Sequence, residues 1–233
     1  MPSPPLVEFQ NVTVYRGDRV ALDGLSLSLP MGEHVAILGP NGSGKSTFVK
    51  TITRECYPVL EHDSSVRILG ERVWNVFDLR VLLGIVSDDL LAHCQWEISV
   101  RELVLSGFFS SVGVWPYHEV TPEMERKAGE IIGRLEIAAL AGRSIHQLSS
   151  GELRRALVGR ALVHDPKALL LDEPTNSLDV RARNELYAVL ARLAEAGTAI
   201  VMVTHHLEDV LREIERAVLL RRGRVFRDGP KAE

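Results

Sequence analysis

Cysteine is almost missing from this chain. Cys56 and Cys94 are the only two in 233 residues, at no metal-ligand spacing, so a disulfide framework is excluded and a reducing compartment suits the chain. Long apolar runs are missing too. The longest, such as Ala168 to Leu171 and Ala199 to Val203, fall far short of the roughly 20 residues that a helix needs to span hydrocarbon. The opening Met1-Pro2-Ser3-Pro4-Pro5 has neither the basic nor the apolar region of a secretory signal, so the mature chain is expected to begin here, in the cytoplasm. An excess of positive charge is likewise absent: Lys and Arg number 27 against 31 Asp and Glu, a net charge of −4, which gives the whole chain no bias toward nucleic acid. What remains, 45% apolar and 25% charged residues, is the composition of an ordinary globular protein. It is long enough for one large α/β domain or two small ones.

The patterning changes along the chain. From Leu6 to Leu29, alternating apolar positions flank a turn at Arg16-Gly17-Asp18 and predict an antiparallel hairpin. "HVAILG" after Gly32 is apolar without alternation, as a strand covered on both faces would be, and a helix is expected from Lys45. Between about 89 and 150 the apolar spacing is helical, at Val100 to Leu105 and Pro122 to Leu140. From Gly151 the order reads helix, strand (Ala168 to Leu171), helix (Val180 to Glu195), strand (Thr198 to Val203), helix from His206, then terminal strands. Strands alternating with helices imply a parallel sheet with crossover connections. No internal repeat or low-complexity linker interrupts them.

The most specific motif is "GPNGSGKS". Gly39, Pro40, Asn41, Gly42, Ser43, Gly44, Lys45 and Ser46 fit G-x-x-x-x-G-K-[ST] between a predicted strand and a predicted helix. Its glycines let backbone N–H groups approach phosphate oxygens, and the helix N-terminus of Ser46 and Thr47 favours negative charge. Lys45 neutralises the β and γ phosphates and Ser46 can ligate Mg²⁺. The apolar run Leu169 to Leu171 ends in Asp172-Glu173-Pro174. Acids after a strand can simply cap the next helix. With a phosphate loop upstream, Asp172 is instead placed to hold Mg²⁺ and Glu173 to polarise an attacking water. "LSSGE", Leu148 to Glu152, by itself reads as an N-cap serine with a helix-starting acid.

In this order and spacing the set resembles the ATP-binding cassette (ABC) ATPase family over nearly the whole chain. The resemblance implies an α/β fold: a P-loop NTPase core with a mostly parallel sheet, an N-terminal antiparallel β subdomain, and a helical subdomain at about 89–150, within a single domain spanning 1–233. It also implies an ATPase using ATP and Mg²⁺. "LSSGE" looks like the family signature, Tyr15 stands where the family places an aromatic against adenine, Asp179 of "NSLD" looks like the D-loop, and His205 of "VTHH" matches the switch histidine at the γ-phosphate. Two such domains pair head to tail in the family. Each ATP then lies between one phosphate loop and the partner's Ser149, Ser150 and Gly151, so a monomer should hydrolyse ATP poorly. One position departs from the pattern: "GIVSDDL" offers Asp88 where the family has glutamine, and Gln95 lies seven residues on. A carboxylate could act there only through water or metal, which implies altered coupling rather than lost hydrolysis.

Phe108, Phe109, Trp115 and Tyr117 in the helical insert either line the groove that receives a membrane partner or fill the insert's own core. The segment also resembles stand-alone ATPases related to molybdate- and iron-uptake proteins. Two functions stay open: the energy-supplying subunit of a transporter, an importer with a separate permease, on the cytoplasmic face of the membrane; or a soluble homodimeric ATPase acting on a protein or nucleic-acid partner. Arg154, Arg155, Arg160, Arg221, Arg222 and Arg224 are expected on solvated faces rather than against phosphates. No coiled-coil arm, second cassette or regulatory domain is expected within these 233 residues.

Overall fold

A computed structural model of the chain describes residues 4–59, 61–90 and 97–231, with Asp88 described by its backbone alone. Cys94 and Gln95 lie outside the described residues. The expected hairpin is present as β1 (Val7–Arg16) and β2 (Arg19–Leu29), paired antiparallel. β4 (Ser65–Ile68) adds to the other edge of β1, giving a three-stranded sheet in the order β2-β1-β4.

A second sheet of six strands runs β5-β6-β7-β3-β8-β9. It contains β5 (Leu83–Val86), β6 (Ala168–Asp172), β7 (Ala199–Thr204), β3 (Val35–Leu38), β8 (Arg216–Arg221) and β9 (Arg224–Pro230). Every pairing is parallel except β8 with β9 at the edge. The central strands show why their sequences do not alternate. In β7, Ile200 and Met202 face one core, built with α5 (Ser150–Leu162) and α6 (Val180–Glu195), while Val201 and Val203 face another, built with the antiparallel sheet and α1 (Lys45–Ile52). Both faces are dry, so every position of β7 from Ala199 to Val203 is apolar.

The register fixes the working edge. Leu38 of β3 is level with Thr204 of β7, and Asp172 of β6 with Val203 of β7. The residues that follow, Gly39, Glu173 and His205, therefore emerge together where open α/β sheets place their ligands.

The insert carries α3 (Val100–Leu105) and α4 (Pro122–Arg134). Ser99 starts α3 with a capping box to Glu102; Thr121 caps α4 ahead of Pro122 at its first turn. α4 ends at Arg134, short of the expected Leu140, because Leu135 leaves the helical path and Glu136 takes a left-handed backbone with φ +59°. The helix expected from His206 does not form. A single 3₁₀ turn, Leu207–Asp209, stands there, and Lys231 Nζ donates to the carbonyls of Leu211 and Arg212 at 2.8 and 3.2 Å. α2 (Val76–Leu82) leads straight into β5.

Three of the expected solvated arginines are packed instead. Arg154 is 5% exposed, Arg155 pairs with Glu185 at 3.3 Å, and Arg160 donates to the Ser111 carbonyl at 2.8 Å. Burial, then the neighbouring Arg80 charge, depresses the Arg160 guanidinium to about 10. α5 is wedged between the sheet and the insert, so its basic stems line interfaces. Arg221, Arg222 and Arg224 are exposed as expected.

The insert meets α5 closely at Gly107: a Cβ there would lie 2.3 Å from the Arg160 carbonyl oxygen and 2.8 Å from Val163 Cγ2. Backbone cannot turn aside as a rotamer can. Gly107→Ala is expected to cost about 1–3 kcal/mol, lowering Tm by roughly 3–10 °C in a thermal denaturation followed by circular dichroism. An unchanged Tm would show that the two elements separate freely.

Candidate nucleotide site

The phosphate loop joins β3 to α1. Gly44 precedes the helix at φ +109°, and a Cβ on it would come within 2.7 Å of the Ala21 carbonyl, so only glycine allows this approach of the hairpin to the loop. Gly223, in the turn between β8 and β9, donates to the Ser43 carbonyl at 2.9 Å and accepts from the Asp23 N–H at 3.0 Å. Hairpin, loop and terminal strands thus hold one another. Ser46 and Asn41 are exposed at the mouth, and Thr47 is buried beneath. The first-turn N–H groups of α1 remain available to an anion, as at any helix start. Tyr15 stands at the end of β1, 53% exposed, with its ring offered to the outside.

Lys45 is only 5% exposed. Its Nζ donates to the Gly39 carbonyl at 2.8 Å and the Pro40 carbonyl at 3.3 Å, and stands 3.6 Å from Glu173 Oε1. The other oxygen of Glu173, Oε2, is 2.8 Å from His205 Nδ1. One carboxylate is therefore shared by a lysine from the β3 loop and a histidine from the β7 loop. Glu173 reaches both from a left-handed backbone, φ +48°, a conformation that costs a side-chain-bearing residue about 1 kcal/mol or more and gathers at functional sites.

Asp172 ends β6 beside them. Its Oδ1 is buried without a hydrogen-bond partner, as is Ser43 Oγ. Burial first, and then the charge of Glu173, pushes its carboxyl up to about 6, against the opposing pull of Lys45. An orphaned oxygen in a site that disfavours its charge fits a cation. Among the described residues no three His, Cys, Asp or Glu side chains are grouped to hold a metal. A divalent ion would take its remaining oxygens from phosphate, hydroxyl and water, as Mg²⁺ commonly does.

The motifs do not all converge. Ser149 caps α5 in a capping box with Glu152: its Oγ donates to Glu152 Oε2 at 2.9 Å and accepts from the Glu152 N–H at 3.3 Å. Asp179 caps α6, accepting from the Ala182 N–H at 2.8 Å. Ser149, Gly151 and Asp179 line one concave patch that contains no residue of the phosphate loop. Gly151 lets α5 approach α6 there, since a Cβ would meet that of Ala182 at 2.6 Å. Ser150 is exposed beside it.

The aromatic segment divides between its two readings. Phe108 packs edge-on to His164 and Phe109 stacks on His118 at 4.1 Å, whereas Tyr117 is 77% exposed. The Asp88 side chain lies outside the described residues. Its neighbour Asp89, which sequence reading passed over, pairs with Lys50 of α1 at 2.7 Å and adds its charge to those raising Asp172. The doubled acid in "SDDL" was the available signal.

A family model described as ABC transporter matches residues 22–176, more than half of the chain. The chain belongs to the ABC transporter family. This cassette binds nucleotide and hydrolyses ATP, as the family does. It is 32% identical to a hemin import ATP-binding protein of Streptomyces coelicolor, over 100% of this chain and 83% of that protein. It is also 32% identical to a Nod factor export ATP-binding protein of Neorhizobium galegae, over 96% of this chain but 62% of that protein. Among solved structures, the cassette resembles a dimeric bacterial ABC transporter cassette with a TM-score of 0.79 and 28% identity, covering 97% of this chain and 98% of that one. Among its described residues no helix is long and apolar enough to cross a membrane.

Asp172 gives a pH-dependent prediction with a definite sign. Above pH 6 it is ionised in the folded protein, and confining that charge destabilises the nucleotide-free cassette by on the order of 2 kcal/mol. The penalty fades as pH falls through 6 and is gone below about 4, where folded and unfolded states are both protonated. Asp172→Asn is expected to raise Tm at pH 7.5 and to lose that advantage near pH 4. Thermal melts at the two pH values decide, and equal Tm values at pH 7.5 would contradict the desolvation.

Proposed function

We propose that the cassette acts as a head-to-tail homodimer in which each ATP lies between one phosphate loop and the partner's Ser149, Ser150 and Gly151. The observation that carries this reading is the division of the motifs into two sets. Lys45, Asp172, Glu173 and His205 gather at one sheet edge, while the signature and Asp179 form a separate patch at the starts of α5 and α6. Phosphate donors set apart from their own phosphate loop have a use opposite a second copy. The similarity to a dimeric cassette supports this arrangement.

In each site the phosphate-loop N–H groups and Lys45 hold the triphosphate, Tyr15 lies against adenine, and Thr47 completes the loop's seat. Glu173 takes a proton from the attacking water, and His205, already beside its carboxylate, orients it and contacts the γ-phosphate. Ser46 and Asp172 would hold Mg²⁺, which neutralises charge on the phosphates. Lys45 lies against Glu173 at 3.6 Å; an incoming γ-phosphate competes for that ammonium and releases the base. Substrate binding thereby completes the hydrolytic pair.

Dimer closure drives a separate membrane permease from the cytoplasmic face, in the import direction. The hemin import relative, matched over most of its own length, supports that direction. With Asp88 at the usual glutamine position, coupling to the partner is altered while hydrolysis persists. Asp88→Gln should then change partner-stimulated turnover more than basal turnover.

Glu173→Gln is expected to keep ATP binding, lower turnover by roughly 100-fold or more, and accumulate an ATP-bound dimer measurable by light scattering. With ATP present, the tagged variant should recover a multi-helix membrane protein from detergent-solubilised cells. A monomer at saturating ATP would contradict the composite site, and recovery of only soluble proteins or nucleic acid would favour a stand-alone ATPase.

A further inference from the structure

One buried carboxylate has no part in this chemistry. Asp209 ends the 3₁₀ turn after β7, is 3% exposed, and is surrounded by donors. Thr175 Oγ1 donates to its Oδ2 at 2.6 Å, Tyr187 OH donates to Oδ1 at 3.0 Å, and Arg183 Nη1 donates to Oδ1 at 3.3 Å. Thr175 is itself 7% exposed. Three partners converging on one buried acid make a fixed junction, since a charged acceptor in low dielectric holds its donors strongly.

The location of the junction gives it a consequence. Thr175 follows Glu173 by two residues, and Asp209 follows His205 by four. The loops leaving β6 and β7 are therefore joined by two rungs, His205 to Glu173 in the site and Asp209 to Thr175 behind it. Arg183 and Tyr187 tie the second rung to α6, the helix that Asp179 caps. The left-handed backbone of Glu173 persists only while its surroundings hold it, and the second rung anchors its own loop two residues further on.

We propose that Asp209, through Thr175, is a positioning residue for hydrolysis: it fixes the spacing between Glu173 and His205 and fastens both loops to the Asp179 helix. Neither Asp209 nor Thr175 touches the reacting atoms. The proposal rests on the reading of Glu173 and His205 as the hydrolytic pair.

Thr175→Val removes the hydroxyl and keeps the shape; Thr175→Ser keeps the bond. Thr175→Val is expected to lower kcat about tenfold, the scale of a sub-ångström misplacement, with KM for ATP within about twofold, while Thr175→Ser turns over like the parent. In a His205→Ala background, Thr175→Val should add no further loss, because both changes act on one contact. A full tenfold loss in that background would overturn the proposal in favour of a general packing role, and an unchanged kcat for Thr175→Val would overturn it outright. Glu173→Gln, assayed alongside, separates the two readings. If that variant is inactive while Thr175→Val is normal, only the positioning role falls; if it turns over normally, the hydrolytic pair and the positioning role fall together.

Discussion

The parallel register of β6, β7 and β3 is the constraint on which the site depends. β7 lies between the strand that ends in the two acids and the strand that opens into the phosphate loop. Because all three run the same way and finish level, their next residues share one edge, and Glu173 can reach Lys45 with one carboxylate oxygen and His205 with the other. A strand running the opposite way would place its following loop at the far end of the sheet, about 15 Å away for strands of this length. The two cores that cover the sheet's faces hold this register, since a slip of one residue would exchange their apolar sets.

That rigidity accommodates local disadvantages. Asp172 is desolvated with one oxygen unpartnered, and Glu173 holds a left-handed backbone. Neither arrangement favours folding by itself. Together they suit a polyanion accompanied by a cation, whose arrival would satisfy Asp172 and the loop N–H groups at once. The close contacts at Gly44 and Gly223 serve the same end, because they press the hairpin and the terminal strands against the phosphate loop and limit its freedom.

The signature patch follows a different logic. Its serine and acid are satisfied within α5 by a capping box, and Asp179 is satisfied within α6 by its own cap. Locally, then, both motifs are ordinary helix starts, as the residues of "LSSGE" suggest when read alone. Gly151 against Ala182 brings the two starts together, and this juxtaposition makes them a surface rather than two unrelated caps.

Local chemistry determined much of the protein in advance. The phosphate loop, the terminal acids of β6, the hairpin and α6 were legible because glycine spacing, apolar runs and caps act over a few residues, and those short-range rules survive folding. The helix expected from His206 was not legible as a turn, because Lys231 and Thr175, both distant in sequence, claim that segment's polar groups. Arg154, Arg155 and Arg160 read as solvated for the same reason: their charge is visible in the sequence, but the layer that covers α5 is not. The sharing of Glu173 between Lys45 and His205, the second rung at Asp209 and the separation of the signature from the phosphate loop were decided by strand order and helix packing. Contacts of that kind join residues tens to more than a hundred positions apart, and no local pattern encodes which of them will meet.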